Sequence, residues 1–252
     1  MAGRRRYRRR NTRGSFAFIY RLMIFVVICG AIAAALALFF KVDQVEVSGN
    51  DRYSTQEIVE ASGVTVGENL FFLNKYEAAA RITQELPYVE SVKIGRRLPN
   101  TLYIQVEECE RALAVEQKGE LWLMCYNGKI ADTAPVEDRE NYTVLTGLTL
   151  QEPTIGQMVT TDAGQENQLE ALLPLLQQLH QKSVLQDLQE IHLEESAYIT
   201  LRYLNRFDVQ LLRSADFDYK LEYLKAVVER LEDNEKGSID LTQEGKASFI
   251  PK

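Results

Sequence analysis

Phe16–Phe40 reads FAFIYRLMIFVVICGAIAAALALFF, and the rest of the chain divides around it. From Leu22 to Phe40 there is no charge for 19 residues. At ~1.5 Å of rise per residue that is ~28 Å of helix, close to the thickness of a bilayer's hydrocarbon core. A helix suits that setting because it pairs its own backbone groups where water is absent. Eight arginines (4, 5, 6, 8, 9, 10, 13 and 21) and no acid precede the uncharged run, and no apolar run of that length returns after it. Arginines beside a span favour the cytoplasmic side. The expectation is a single-pass type II protein of the cell membrane: a basic cytoplasmic tail over 1–21, a transmembrane helix over 22–40, and the bulk outside the cytoplasm. Two other readings attach to the same residues. RRRYRRR is also the composition of a nucleic-acid-binding arm, although next to a span the positive-inside argument accounts for it. Ala31, Ala33, Ala35 and Ala37 offer A-x-A-like signal-peptidase sites. Against cleavage, the run is longer than a usual signal core and continues through Leu38, Phe39 and Phe40.

All 36 acids lie beyond the span, against 20 basic residues after Lys41, so 42–252 carries a formal charge of −16. Such a surface stays soluble and binds nucleic acid poorly. Cys29 lies in the span. Cys109 and Cys125 are either a pair or two free thiols; one candidate bridge in so long a region is no disulfide framework, and unpaired thiols are the expectation.

Val42–Val47 alternates apolar and polar residues and predicts a strand leaving the membrane directly. Ser54-Thr-Gln-Glu57 is a capping-box pattern opening a helix through Ala61. Gly63 and Gly67 punctuate a loop. A second helix is predicted from Lys75 to Leu86, with Ala79, Ile82 and Leu86 on one face, stopped by Pro87. Val89, Val92 and Ile94 lead into a strand, Pro99-Asn100 turns it, and Leu102, Ile104 and Val106 form the next. The order is β-α-α-β-β.

These stretches resemble a POTRA domain, and more specifically the membrane-proximal half of the FtsQ/DivIB family of bacterial cell-division proteins. The resemblance is carried by Val45-Glu-Val-Ser-Gly-Asn50, Gly63-Val-Thr-Val-Gly-Glu-Asn-Leu70, Leu86-Pro-Tyr-Val89 and above all Arg96-Arg-Leu-Pro-Asn-Thr-Leu102. It continues in Glu110-Arg111-Ala112, without the proline the family often has nearby. Taken one at a time, these glycines, prolines and arginines have an ordinary structural reading as turns, stops and a solvated strand end; the constellation behind a signal anchor does not. The resemblance implies an α+β protein with a single N-terminal transmembrane helix, a POTRA domain over 41–109, and a mostly antiparallel β domain with flanking helices over 110–241. A C-terminal strand and tail follow over 242–252.

The second part reads accordingly. Leu113–Val115 and Leu121–Tyr126 pair around Lys118-Gly119, and Asn127-Gly128 is a tight turn. Trp122 reads as a core anchor. A helix over Asp162–Gln181 carries Leu169, Leu172, Leu173, Leu176 and Leu179, with Pro174 expected to kink or split it. Strands follow at Leu188–Leu193, Ile199–Leu204 and Phe207–Leu212, the last two joined at Asn205-Arg206. A helix over Asp218–Glu232 precedes Ser238-Ile-Asp-Leu241, which resembles the family's penultimate strand.

In that family the final strand region is where FtsB/DivIC docks by adding a strand. Carried onto this sequence, the docking residues are Thr242, Gln243, Glu244, Gly245, Ala247 and Phe249. The family often has an aromatic where Gln243 stands and a basic residue where Thr242 stands. Phe249 has two readings, interface anchor or a residue closing the domain's own core. In the POTRA part, the edge strand with Val45 and Val47 and the loop with Gly63, Gly67 and Asn69 are candidate contacts. The resemblance implies FtsB/DivIC and FtsL as partners, FtsW and FtsI indirectly, and an FtsK-like protein. It implies a divisome scaffold at the septum. A POTRA-bearing sensor or translocation factor is the alternative.

Enzyme signatures are missing from the sequence. His180 and His192 form no H-E-x-x-H, and there is no G-x-S-x-G or P-loop. Glu107-Glu108 and Glu194-Glu195 read as solvated faces. No cofactor or metal is expected.

Overall fold

The structure, a computed structural model, describes residues 14–110, 112–193 and 197–252, with side chains from Phe18 onward. The tail arginines before residue 14, Arg111 and the Glu194-Glu195 run lie outside the described residues. Helix α1 (Gly14–Phe39) is one unbroken element of 26 residues. Its Phe18–Phe39 part has a mean hydropathy of 2.9 and buries none of its residues in the rest of the protein, touching it only at its last turn. It meets the length and composition of a membrane span.

Beyond it, β1 (Gln44–Ser48), α2 (Thr55–Ser62), α3 (Lys75–Glu85), β2 (Val89–Arg97) and β3 (Thr101–Glu108) follow in the β-α-α-β-β order read from the sequence. The sheet order is β1-β3-β2, with β1 parallel to β3 and β2 antiparallel to it. The capping box forms as Ser54 and Glu57 predict: the Ser54 hydroxyl accepts from the Glu57 N–H while Glu57 reaches back to the Ser54 N–H. Two details differ from expectation. Val42 lies before β1 and is fully buried. On α3 it is Ala78 that is buried beside Ile82, with Ala79 half-exposed; one residue of helical phase separates them, about 100° around the axis.

The second unit is a sheet that, among the described residues, has nine strands. They are β4 (Leu113–Gln117), β5 (Glu120–Met124), β6 (Ile130–Pro135), β7 (Thr143–Thr146), β8 (Leu188–Leu193), β9 (Tyr198–Tyr203), β10 (Phe207–Leu212), β11 (Gly237–Asp240) and β12 (Ser248–Pro251). The spatial order is β12-β11-β10-β9-β8-β7-β4-β5-β6. It is mostly antiparallel, with parallel pairs at β4–β7, β7–β8 and β10–β11. Helices α4 (Glu166–Gln181) and α5 (Phe217–Val228) lay their leucines on one face, where Leu172, Leu176, Leu221 and Leu224 meet Val209, Leu211 and Ile239. At the β4–β6 end the other face is also covered. There Ala114, Leu121 and Leu123 pack with Tyr88, Cys109 and Tyr53 of the first unit.

Helix α4 begins at Glu166 rather than Asp162 and is not split by Pro174. Pro174 is exposed, so the Glu170 carbonyl it leaves unpaired faces water, and the buried stripe uses Leu175 where Leu173 was expected. Helix α5 stops at Val228, short of Glu232. The β9–β10 turn is centred on Leu204 and Asn205, both left-handed (φ 53° and 55°), one residue earlier than expected. Glu108 is no solvated acid. It is buried, and its carboxylate accepts from the N–H groups of Asp51, Arg52 and Tyr53 at 2.9, 2.6 and 3.2 Å.

Candidate functional site

Strand β12 ends the nine-stranded sheet on one side. It pairs antiparallel with β11, Ile239 opposite Phe249 and Ser238 opposite Ile250. The Lys252 N–H donates to the Lys236 carbonyl at 2.9 Å. In an antiparallel ladder bonded and non-bonded pairs alternate, so Ile250 and Ser248 share the phase of Lys252 and direct their backbone groups at β11. Phe249 and Pro251 therefore turn theirs outward. The free edge offers the N–H and C=O of Phe249 and the C=O of Pro251, which has no N–H. That proline shortens the exposed template, a common way to protect an edge.

Side chains around the edge sort by face. The Phe249 ring meets Phe207 edge-to-face at 6.0 Å and packs on the main core. Ile250, on the opposite face, is exposed. Gly237 explains how β12 comes so close: a Cβ there would stand 2.2 Å from the Ile250 carbonyl oxygen and 2.9 Å from the Phe249 ring. Lys252 clips the end, its Nζ 2.7 Å from Asp208, which also holds Arg202 at 2.5 Å. Burial alone would push the Asp208 carboxyl up, but the hydrogen bonds from Lys252 and Arg202 outweigh it and hold the group below the usual range.

Thr242, Gln243, Glu244 and Gly245 lie in the loop between β11 and β12, and Ala247 leads into β12. The loop is tied to α5. Buried Lys220 donates to the Gln243 carbonyl at 2.5 Å, and the Tyr223 hydroxyl donates to the Gly245 carbonyl at 3.4 Å. Ala247 and Phe249 pack partly against the core, while Gln243, Glu244 and Gly245 are exposed. Sequence reasoning missed Ile250, Gly237 and the pair Tyr219–Tyr223, whose rings lie 5.3 Å apart and tilted by 42°. The Tyr pair was visible as an i, i+4 spacing off the apolar stripe of α5.

The other candidates lie on the first unit, where only Gly67 and Asn69 meet the exit from α1. Val45 and Val47 turn their side chains to the first unit's core, leaving the β1 backbone as an edge. Gly63 closes α2 with φ 66°. The Gly67 N–H donates to the Val42 carbonyl at 2.8 Å. Asn69 Nδ2 donates to the Leu36 and Ala37 carbonyls at 2.7 and 3.2 Å, capping the last turn of α1.

The junction between the two units holds the most perturbed groups. Lys129, buried on the second unit, donates to the carbonyls of Thr83, Leu86 (3.2 Å) and Val89 (3.0 Å) on the first. Burial lowers its pKa. Beside it, Glu90, Cys109 and Cys125 place their donor atoms within 4.8 Å of one another, with both thiols free. Both Glu90 oxygens are buried without a hydrogen-bond partner. Burial pushes the Glu90 carboxyl up to about 7, which the nearby Tyr126 hydroxyl and the thiols ease only in part. Two thiols and a carboxylate are a donor set zinc accepts, but the Lys129 ammonium already supplies the positive charge these groups attract. His180 ends α4, stacks on Tyr126 at 4.0 Å, and lies 3.8 Å from Glu107. His192 sits on β8 and meets the Thr146 hydroxyl at 2.7 Å. The two histidines thus serve separate contacts.

Comparison with known proteins gives this architecture a family. The family "POTRA domain, FtsQ-type" matches residues 40–108, and "Cell division protein FtsQ/DivIB, C-terminal" matches residues 112–242. The chain belongs to the FtsQ/DivIB family. A cell division protein FtsQ from Geotalea daltonii is 29% identical over 77% of this chain and 69% of its own. A cell division protein DivIB from Clostridium botulinum is 25% identical over 92% of this chain and 88% of its own. The solved extracytoplasmic domain of DivIB from Geobacillus stearothermophilus aligns with a TM-score of 0.31 at 19% identity, over 51% of this chain and 98% of that one. FtsQ/DivIB proteins are cell-division proteins and not a known enzyme family, which supports a role in the divisome.

Proposed function

We propose that this protein is a non-catalytic scaffold of the divisome that captures FtsB/DivIC, and with it FtsL, by strand addition at β12. The observation that carries this is the outward-turned backbone of Phe249 and Pro251 on a sheet edge, with Ile250 exposed beside it. An extended partner gains main-chain hydrogen bonds there, and side-chain pockets on the two faces supply selectivity. Phe249 serves by holding β12 on Phe207, so its ring shapes the edge from behind. Thr242, Gln243, Glu244, Gly245 and Ala247 set the rim on which the partner's flanks rest.

In this reading α1 is retained as a type II anchor with its N-terminus in the cytoplasm, and the bulk works outside at the septum. The POTRA part contributes recruitment through the β1 edge and the Gly63–Asn69 loop, with an FtsK-like protein as the partner class. Control of FtsW and FtsI follows from which partners the scaffold holds. The buried contacts around Lys129 support a fixed relation between the two units, so a partner on one can affect the other.

The test is capture of the organism's own FtsB/DivIC and FtsL by the full chain in membranes, beside a version truncated before Thr242. Circular dichroism checks that each is folded. Capture by the intact chain and none by the folded truncation is expected. Equal capture by both would move the site elsewhere. Capture by neither would return the protein to the sensor or translocation class, for which a gene neighbourhood of secretion rather than cell-wall functions is the companion observation.

A further inference from the structure

The first unit carries an apolar surface that its own core does not use. Among the described residues beyond the span, ten large apolar or aromatic side chains are exposed, and five of them lie on this unit, in the 66–76 stretch and the β2–β3 turn. They are Val66 (74% exposed), Phe71 (40%), Phe72 (76%), Tyr76 (88%) and Leu98 (56%). Scattered singly, such residues need no explanation; gathered on one end, they mark an interaction surface.

The position of that end is fixed by hydrogen bonds to the exit of α1. Asn69 reaches back to the Leu36 and Ala37 carbonyls, inside the apolar segment itself. The Leu70 N–H donates to the Phe40 carbonyl at 2.9 Å, and the Phe71 ring meets Phe40 edge-to-face at 5.1 Å. The Val42 and Gly67 backbones are bonded in the same way, which holds Val66 against the exit. The β2–β3 turn joins from the other side: the Asn100 carbonyl accepts from Asp43 at 2.9 Å and from Gln44 at 3.3 Å, so Leu98 flanks the same few residues. Arg96 spans the two loops, donating to the Leu73 carbonyl at 3.1 Å with its guanidinium 5.9 Å from the Phe71 ring. Leu36 lies only three residues before the end of α1, about 4.5 Å at helical rise. A loop bonded to it stands at the depth of the headgroups.

We propose that this end of the first unit is a lipid-binding surface, with Phe71, Phe72, Tyr76, Val66 and Leu98 seated in the headgroup region of the bilayer. The occupant is lipid because the patch is continuous with the spanning helix; the proposal rests on the reading of α1 as a retained anchor. Aromatic residues favour that zone, since their rings are amphipathic and it is half wet. The driving force is apolar insertion rather than charge, because the region beyond the span carries −16 and an anionic surface repels it. A footing of two loops beside a capped helix end holds the domain at a fixed tilt to the membrane, which a flexible linker would not.

The experiment places single tryptophans in the full chain, in vesicles of phosphatidylethanolamine and phosphatidylglycerol. Trp122→Phe removes the native indole. Onto it go Phe72→Trp and Leu98→Trp, one for each loop. Phe25→Trp inside the span and Tyr198→Trp on the distant sheet serve as references. Each is read by quenching with lipids brominated near the headgroup and with aqueous iodide. Residues 72 and 98 should be quenched several-fold more by bromolipid than residue 198, and shielded from iodide. If Phe25→Trp responds to brominated lipid but residues 72 and 98 behave like residue 198, the lipid footing is wrong while the anchor stands. If Phe25→Trp also fails to respond, the anchor falls and the footing with it. Shielding of residues 72 and 98 only after a protein partner is added overturns the proposal in favour of a protein interface.

Discussion

Glu90→Gln should flatten the pH dependence of stability. The Glu90 carboxyl sits at about 7 in the folded protein against an ordinary value of 4.5, because burial disfavours its charge and the nearby Tyr126 hydroxyl and thiols offset only part of that cost. Folding therefore takes up a proton between those two values. Wild-type stability rises as pH falls through 7 and is fully gained below 4.5; the acid's raised pKa makes this the reverse of the usual carboxylate case. Linkage with these values amounts to about 2.5 kcal/mol between pH 8 and pH 5. Glutamine has no proton to take up, so that increment disappears. Other carboxylates titrate alike in both proteins and cancel in the comparison. The assay is urea unfolding of the full chain in detergent, followed by Trp122 fluorescence, at both pH values. Wild type should lose about 2–3 kcal/mol more than the variant on going from pH 5 to pH 8. A difference below about 0.5 kcal/mol would mean that Glu90 ionises freely and that the junction is wetter than its geometry implies.

Three further substitutions probe separate contacts. Glu108→Ala leaves the N–H groups of Asp51, Arg52 and Tyr53 without their acceptor, and should cost about 2–4 kcal/mol in thermal or urea unfolding. Lys129→Met removes the ammonium that joins Thr83, Leu86 and Val89 to the second unit; limited proteolysis should then cut between the units faster, while the circular dichroism of each stays native. Gly237→Ala drives a methyl into the Ile250 carbonyl, so amide exchange over 248–252 should rise sharply with little change in β8–β10.

Local features were legible in the sequence, and long-range ones were not. The long apolar helix needs only a count of uncharged residues. The capping box at Ser54 and Glu57, the stop at Pro87 and the alternation of Leu102, Ile104 and Val106 are each decided within a few positions. Helical phase is finer than composition: Ala78 and Ala79 are the same residue type, and only packing against the sheet selects one. Pro174 looks like a breaker because sequence gives its chemistry and not its exposure. Sheet order was hidden for the same kind of reason. Alternation marks a strand but not its neighbour, so the parallel pairs β4–β7 and β7–β8 had no local sign. Glu108, 55 to 57 positions from the amides it holds, and Lys129, 40 to 46 from its carbonyls, look like ordinary surface charges until the fold buries them. At the candidate edge, the family resemblance pointed to 242–249, whereas the phase of the β12 ladder, which turns Phe249 outward and Ile250 inward at the backbone, required the register itself.

That phase supplies the most direct test of strand addition. Amide exchange would be followed residue by residue over 248–252, with and without the extracytoplasmic part of the FtsB/DivIC–FtsL pair. The account predicts that the outward Phe249 amide exchanges freely alone and becomes protected on binding, while the Ile250 amide, already bonded to β11, changes little. A bound complex in which Phe249 exchanges at its unbound rate would contradict docking at β12.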